Sequence, residues 1–236
     1  MAALIAVVSG DFGMVLVYLG LFVIIAWTAG VKKRWFLLAL VLGVAAVIIV
    51  WPHVPGYIQG RFTVVIDHIT GNPDTYVEQT QGRGWQQTRS ILAIGSGGLF
   101  GQGYLQGTQT QSASEEALPA RHTDEIFAVC GEEFGMVGCI LVILLLTAII
   151  LRCVWVARRA NSPMAAYVAM GYAAMLLLQT VINIGMCLYV FPVVGLTLPF
   201  FSSGGSSIIT LYACMGIVSG IKMRSLPSWL RDRSQL

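Results

Sequence analysis

Leu118-Pro119-Ala120-Arg121-His122-Thr123-Asp124-Glu125-Ile126-Phe127 leads into Gly131-Glu132-Glu133-Phe134-Gly135, and from Cys139 to Leu151 the chain is so apolar that it reads only as a membrane helix. Asp124, Glu125, Glu132 and Glu133 crowd the junction between that helix and the polar stretch before it. On a continuous helix rising about 1.5 Å per residue, Glu132 lies roughly 12 Å deeper than Asp124. A carboxylate in hydrocarbon is costly unless it faces protein or water, so acids placed there point to function. Capping of the helix by Thr123 and Asp124, worth about 1 kcal/mol, accounts for one acid and leaves the others to explain.

Outward from this junction the chain stays apolar. Of its 236 residues 56% are hydrophobic and only 11% are charged, far below the roughly 25% of a soluble domain. The segments Phe12–Ala29, Trp35–Trp51, Phe127–Leu151, Met164–Val190 and Ser206–Ile221 approach or exceed the roughly 20 residues that a membrane crossing needs. Lys32, Lys33 and Arg34 follow the first segment, Arg152, Arg158 and Arg159 the third, and Lys222, Arg224, Arg231 and Arg233 the fifth. Threading the segments alternately puts all three basic clusters on one side, which marks that side and the C-terminus as cytoplasmic. The fold expected is therefore all-α and polytopic: one membrane domain over residues 1–236, with residues 52–125 as a large extracytoplasmic loop. A net charge of +3 gives no reason to expect a nucleic-acid partner. Residues 1–10 lack the basic start of a removable signal and merge into the first apolar run. The five cysteines lie in or beside apolar runs, so they form no disulfide framework.

A loop this long is expected to carry structure of its own. Tyr57–Ile66 is amphipathic, and Trp85–Ile94 begins polar and ends apolar, as an element lying at a membrane surface does. Gly95-Ser96-Gly97-Gly98-Leu99-Phe100-Gly101-Gln102-Gly103 fails as a nucleotide loop, having neither Lys-Ser/Thr after it nor the right glycine spacing. Its glycines are better read as tight turns or close approach to another surface, with anion binding through backbone N–H groups the lesser alternative. Gln179 and Asn183 stand at i and i+4, on one face of their helix, as polar glue between helices or as cavity lining. Ser202, Ser203, Ser206 and Ser207 open the last helix without a nucleophile elbow. His53, His68 and His122 have no metal-ligand spacing.

These motifs together, in this order, resemble the RodA/FtsW/SpoVE family, the polytopic SEDS proteins of bacterial cell-wall synthesis. The resemblance rests on Gly10-Asp11-Phe12-Gly13, Ile94–Gly103, Leu118-Pro119 with His122-Thr123-Asp124, Gly131–Gly135, Asn183-Ile184-Gly185, Pro192–Phe200 and Gly204–Ser207. It implies a peptidoglycan glycosyltransferase that polymerises lipid II at the outer face of the cytoplasmic membrane, with a class B penicillin-binding protein as transpeptidase partner. It also implies a ten-helix fold of which this chain supplies the last five. The family's essential acid falls on Asp124, taken as the base that accepts a sugar hydroxyl's proton. Arg121, His122, Thr123, Glu132, Asp11, Gln179, Asn183 and Ser206 are the supporting or substrate-binding residues. Positive charge for the departing diphosphate would come from Arg121 or from a divalent cation, magnesium or manganese. The chain departs from the family pattern at Ala120, where Glu is usual, and at Glu125 and Ser203, where aromatics are usual. Two other classes compete: a lipid transporter with Asp11, Glu132, Gln179 and Asn183 along its path, and an inactive scaffold for a penicillin-binding protein. The motif-bearing outer loop favours the enzyme, because transport sites gather near the midplane.

Overall fold

The computed structural model describes residues 12–54, 56–71, 73–112 and 118–225. Every regular element among them is helical: α1 (Phe12–Thr28), α2 (Lys33–Val50, prolonged by a 3-10 turn at Trp51–His53), α3 (Gly56–Thr70), a 3-10 turn at Pro73–Thr75, α4 (Tyr76–Thr80), α5 (Trp85–Ser96), α6 (Ile126–Arg158), α7 (Pro163–Cys187) and α8 (Gly205–Arg224). Lys33–His53, Ile126–Arg158, Pro163–Cys187 and Gly205–Arg224 are long and apolar enough to cross a membrane, and Gly13–Thr28 is a shorter apolar helix. These are the apolar segments expected from the sequence. Their ends follow local chemistry. Gly30, at φ +80°, closes α1 by donating to the Trp27 carbonyl. Pro163 opens α7 with the Ser162 hydroxyl capping the Ala165 N–H at 3.2 Å.

The chain divides into two compact units. The first holds residues 1–30, 142–180 and 199–236, the second residues 31–141 and 181–198, so α6 and α7 each pass from one unit into the other. In the first unit Ile150, Cys153, Val156 and Ala157 of α6 meet Ala169, Tyr172, Ala173 and Leu176 of α7 and Leu211 and Val218 of α8. The alanines let the helix backbones approach, which is how helices associate where burial against lipid gives no driving force. The Tyr172 hydroxyl donates to the Leu211 carbonyl at 2.8 Å.

The second unit contains the stretch from residue 52 to residue 125, whose regular elements among the described residues are helices. Val64 and Val65 of α3 pack on Tyr189 with Ile91 alongside, and Ala93, Leu118 and Ala128 form a neighbouring core. The buried side chains of α5 are Gln87, Ser90 and Ala93, largely its polar half, whereas Leu92 is 50% exposed. The reason is the end of α7. The last carbonyls of a helix have no partner within it. Gln87 Nε2 donates to the carbonyls of Phe191 (2.7 Å) and Met186 (3.3 Å), and Ser90 Oγ to that of Cys187 (2.9 Å). α2, by contrast, buries none of its side chains and presents apolar residues all round.

Candidate functional site

The site expected from the sequence begins in the turn over residues 119–125, just before α6. Ala120 holds φ at +47°, and its carbonyl accepts from the N–H groups of Thr123 (3.0 Å) and Glu125 (3.2 Å) and from the Thr123 hydroxyl (3.3 Å). A left-handed alanine costs about 1–2 kcal/mol, which three hydrogen bonds to one carbonyl help to offset. The turn delivers Asp124 half-buried. Its main-chain carbonyl accepts from Asn183 Nδ2 at 2.8 Å, and the same amide group reaches the Leu196 carbonyl at 2.7 Å. Asn183 is fully buried and ties the turn to the segment after α7. The Asp124 carboxylate itself accepts no hydrogen bond from the described residues. The backbone of Gly195 faces it: a Cβ there would lie 3.9 Å from Oδ2. Burial pushes the Asp124 carboxyl above its ordinary range.

Glu125 turns inward and is wholly buried. Gln86 Nε2 donates to its Oε1 at 3.1 Å, and its Oε2 has no hydrogen-bond partner among the described residues. Burial raises this carboxyl too, opposed by the nearby polar groups of Ser90, Cys187 and Gln86 and reinforced by the neighbouring Asp124 charge.

Glu132 and Glu133 are occupied in a different way. Glu132 Oε1 accepts from the N–H of Gln109 (2.7 Å) and the hydroxyl of Thr108 (3.1 Å), and Oε2 from the N–H of Thr110 (2.8 Å). Glu133 Oε1 accepts from Gln111 Nε2 (2.9 Å) and the Thr110 hydroxyl (3.3 Å). Arg121 donates to the Thr110 carbonyl. Thr110 thus has all its polar groups engaged, and the two glutamates anchor the loop before the turn. With both its oxygens bonded, Glu132 is an acceptor built into the fold.

α6 is also not continuous. Gly135 stands at φ +68°, ψ −164°, which interrupts the backbone ladder within a membrane-spanning segment. The glycine-rich loop after α5 completes it: Gln102 and Gly103 donate to the carbonyls of Glu132 and Glu133, and Met136 and Val137 donate to those of Gly98 and Leu99. Broken helices are tolerated at membrane depth only where protein satisfies the freed groups. Close approach is therefore what these glycines are for. A Cβ on Gly97 would lie 2.0 Å from the Gly131 carbonyl oxygen, and one on Gly101 2.2 Å from that of Glu133. The Gln102 and Gly103 N–H groups are spent on α6 and are not left for an anion.

Asp124, Thr123, Arg121, His122, Asn183 and Glu132 all belong to the second unit, whereas Gln179 and Ser206 belong to the first. Gln179 is half-buried on α7 and Ser206 is exposed in the first turn of α8. Asp11 lies outside the described residues. Thr110, Gln86, Gln87 and Ser90 were not foreseen, because nothing in the local sequence says that their partners lie tens of residues away. Among the described residues no three His, Cys, Asp or Glu side chains come together. A magnesium ion nevertheless binds with one or two carboxylates plus substrate phosphates, and Asp124 offers such a carboxylate.

The model of the cell cycle protein family FtsW, RodA and SpoVE matches residues 1–226. The peptidoglycan glycosyltransferase MrdB of Escherichia coli (strain K12) is 39% identical over 203 residues, which cover 86% of this chain and 51% of that protein. The probable peptidoglycan glycosyltransferase FtsW of Coxiella burnetii is 39% identical over 211 residues, covering 88% of this chain and 53% of its own. Stage V sporulation protein E of Bacillus subtilis (strain 168) is 32% identical over 224 residues, covering 95% and 58%. A chain of a solved peptidoglycan synthase complex, in which polymerization and crosslinking are coordinated, superposes with a TM-score of 0.73 at 27% identity, covering 96% of this chain and 60% of that one. The chain spans about half the length of the curated relatives it matches.

Proposed function

Because the chain belongs to the FtsW, RodA and SpoVE family of cell cycle proteins, we propose that it carries the catalytic acid of a peptidoglycan glycosyltransferase that polymerises lipid II on the outer face of the cytoplasmic membrane. The observation that carries this reading is the Asp124 carboxylate, half-buried and unpaired among the described residues while the acids around it are engaged or sealed in. A sugar hydroxyl of one lipid-linked disaccharide attacks the anomeric carbon of another. The new glycosidic C–O bond forms as the bond to the diphosphate breaks, undecaprenyl diphosphate departs with the electron pair, and Asp124 takes the hydroxyl proton. One carboxylate oxygen serves for that proton and leaves the other for a magnesium or manganese ion, which would supply positive charge beside the diphosphate. Arg121 contributes by holding the loop through Thr110, and Asn183 by fixing the main chain of Asp124. A class B penicillin-binding protein is the partner that would crosslink the product. Residues 52–125 face outward in this scheme, and the basic clusters and C-terminus face the cytoplasm. A transporter would need free acids along a path, and Glu132 is not one.

The test is Asp124→Asn in the complete gene product, reconstituted in liposomes with lipid II. Asn keeps the shape and any capping, so the protein is expected in the membrane at normal level with glycan synthesis reduced roughly 10²–10⁴-fold. Near-normal polymerisation by the Asn variant sinks the assignment.

A further inference from the structure

The first unit has charge with no obvious use. Its described residues include no Asp or Glu, yet Arg152, Arg158, Arg159, Lys222 and Arg224 gather where α6 and α8 end. Three of these cations share one indole: the guanidinium carbons of Arg152 and Arg159 each lie 4.3 Å from the Trp155 ring centroid, and Lys222 Nζ lies 5.9 Å from it. None of the three forms an ion pair with a described residue. Helix C-termini favour cations, but that effect is local to each helix end and does not require three around one ring. Beside them runs an open groove of about 450 Å³ between α6 and α8, walled by Leu145, Ala148, Ile149, Val156, Met215, Val218 and Ser219, with Arg152 and Lys222 also in its lining. From Leu145 to Val156 the groove follows about 16 Å of helix, close to half of a bilayer core of about 30 Å.

We propose that this groove binds an anionic phospholipid of the cytoplasmic leaflet, with an acyl chain along Leu145, Ala148, Ile149 and Met215 and the headgroup phosphate at Arg152 and Lys222. Charge complementarity selects the occupant. A partner helix would satisfy the apolar walls but leave the cations unmatched, and a free phosphate would match the cations but leave the walls bare. Trp155 fits the role as the interfacial residue that holds both guanidinium groups at the headgroup level. Basic pockets between membrane helices on the cytoplasmic side are where anionic headgroups bind. The site does not depend on the glycosyltransferase reading.

The experiment is native mass spectrometry of the full chain released from detergent containing equal phosphatidylglycerol and phosphatidylethanolamine. Two cations at about five- to sixfold each predict a preference for phosphatidylglycerol of roughly 30-fold. The double variant Arg152→Gln/Lys222→Gln is expected to lose that preference, and Arg158→Gln, which does not line the groove, to keep it. Ser219→Leu keeps every charge but fills the groove, and is expected to lose bound lipid of both kinds. Soluble glycerophosphate at the same concentration should not displace the lipid. Equal retention of the two lipids by the unaltered chain overturns the proposal, as does an unchanged preference in the double variant. Displacement by glycerophosphate, or full retention by Ser219→Leu, would show a phosphate site on the surface and no lipid groove.

Discussion

At the scale of single residues, two adjacent carboxylates have been given different jobs by their surroundings. Asp124 stands half-buried without a described donor, and Glu125 is sealed behind it against Gln86. Burial disfavours the ionised form of both. For Asp124 as a base the consequence is kinetic: activity is lost as pH falls through its raised pKa. The acid limb of the rate profile should therefore sit above the 3.8 of an ordinary aspartate. A limb at or below 3.8 would show that the half-buried carboxyl is not the titrating base. For Glu125 the consequence is stability. The folded chain holds the proton above 4.5, where the unfolded chain has lost it. Stability contributed by this group is therefore present below that pH and declines as pH rises through the folded value. Glu125→Gln removes the titration, so melting temperature measured across pH 4 to 8 should decline less in the variant than in the parent. Asp124 was singled out in the sequence by the cluster of acids at the junction, more than capping accounts for, and by the family motif that falls on it. The role of Glu132 was not legible there, since its meaning depends on Thr108, Gln109 and Thr110, over twenty residues earlier.

At the scale of elements, apolar length revealed the helices and said nothing of the break inside α6. Gly135 could have been one more small residue in a membrane helix. What distinguishes it is a positive φ together with the loop that fills the gap, where a Cβ would lie 2.4 Å from the Gly101 nitrogen. Gly43, in the middle of α2, has nothing within 4 Å of the same position. The two glycines therefore predict opposite outcomes for one substitution. Gly135→Ala should cost at least about 2 kcal/mol, through backbone strain and collision with backbone that cannot yield. Gly43→Ala should be neutral or gain up to about 1 kcal/mol from helix propensity. Unfolding of both variants in detergent micelles measures the contrast, and equal effects would mean that the break in α6 is not held by the loop. α5 teaches a related lesson. Its polar-then-apolar order gave no sign that Gln87 and Ser90 are buried, donating to carbonyls at and just after the end of α7. Periodicity weighs apolar burial and is blind to a carbonyl waiting elsewhere in the chain.

At the scale of the whole chain, the legible part was the set of long apolar helices, because apolar runs are properties of composition that need no partner to be seen. The division into two units was not legible, since α6 and α7 cross from one to the other without any change in sequence character. The orientation can be tested directly. Lys32 to Arg34, Arg152 to Arg159 and Lys222 to Arg224 each lie in or beside the end of an apolar helix. Positive residues close to helix ends resist translocation, and all three clusters agree. Asn161 follows α6 in a short connection, where its side chain donates to the Arg224 carbonyl at 2.9 Å, so the ends of α6 and α8 share one face. Ser112 lies in the loop that leads to the Asp124 turn. With the native cysteines replaced, Ser112→Cys should react with a membrane-impermeant maleimide applied to intact cells, and Asn161→Cys should react only after permeabilisation. The opposite pattern would put Asp124 on the cytoplasmic side, where a polymerase that builds wall outside the membrane cannot have its base.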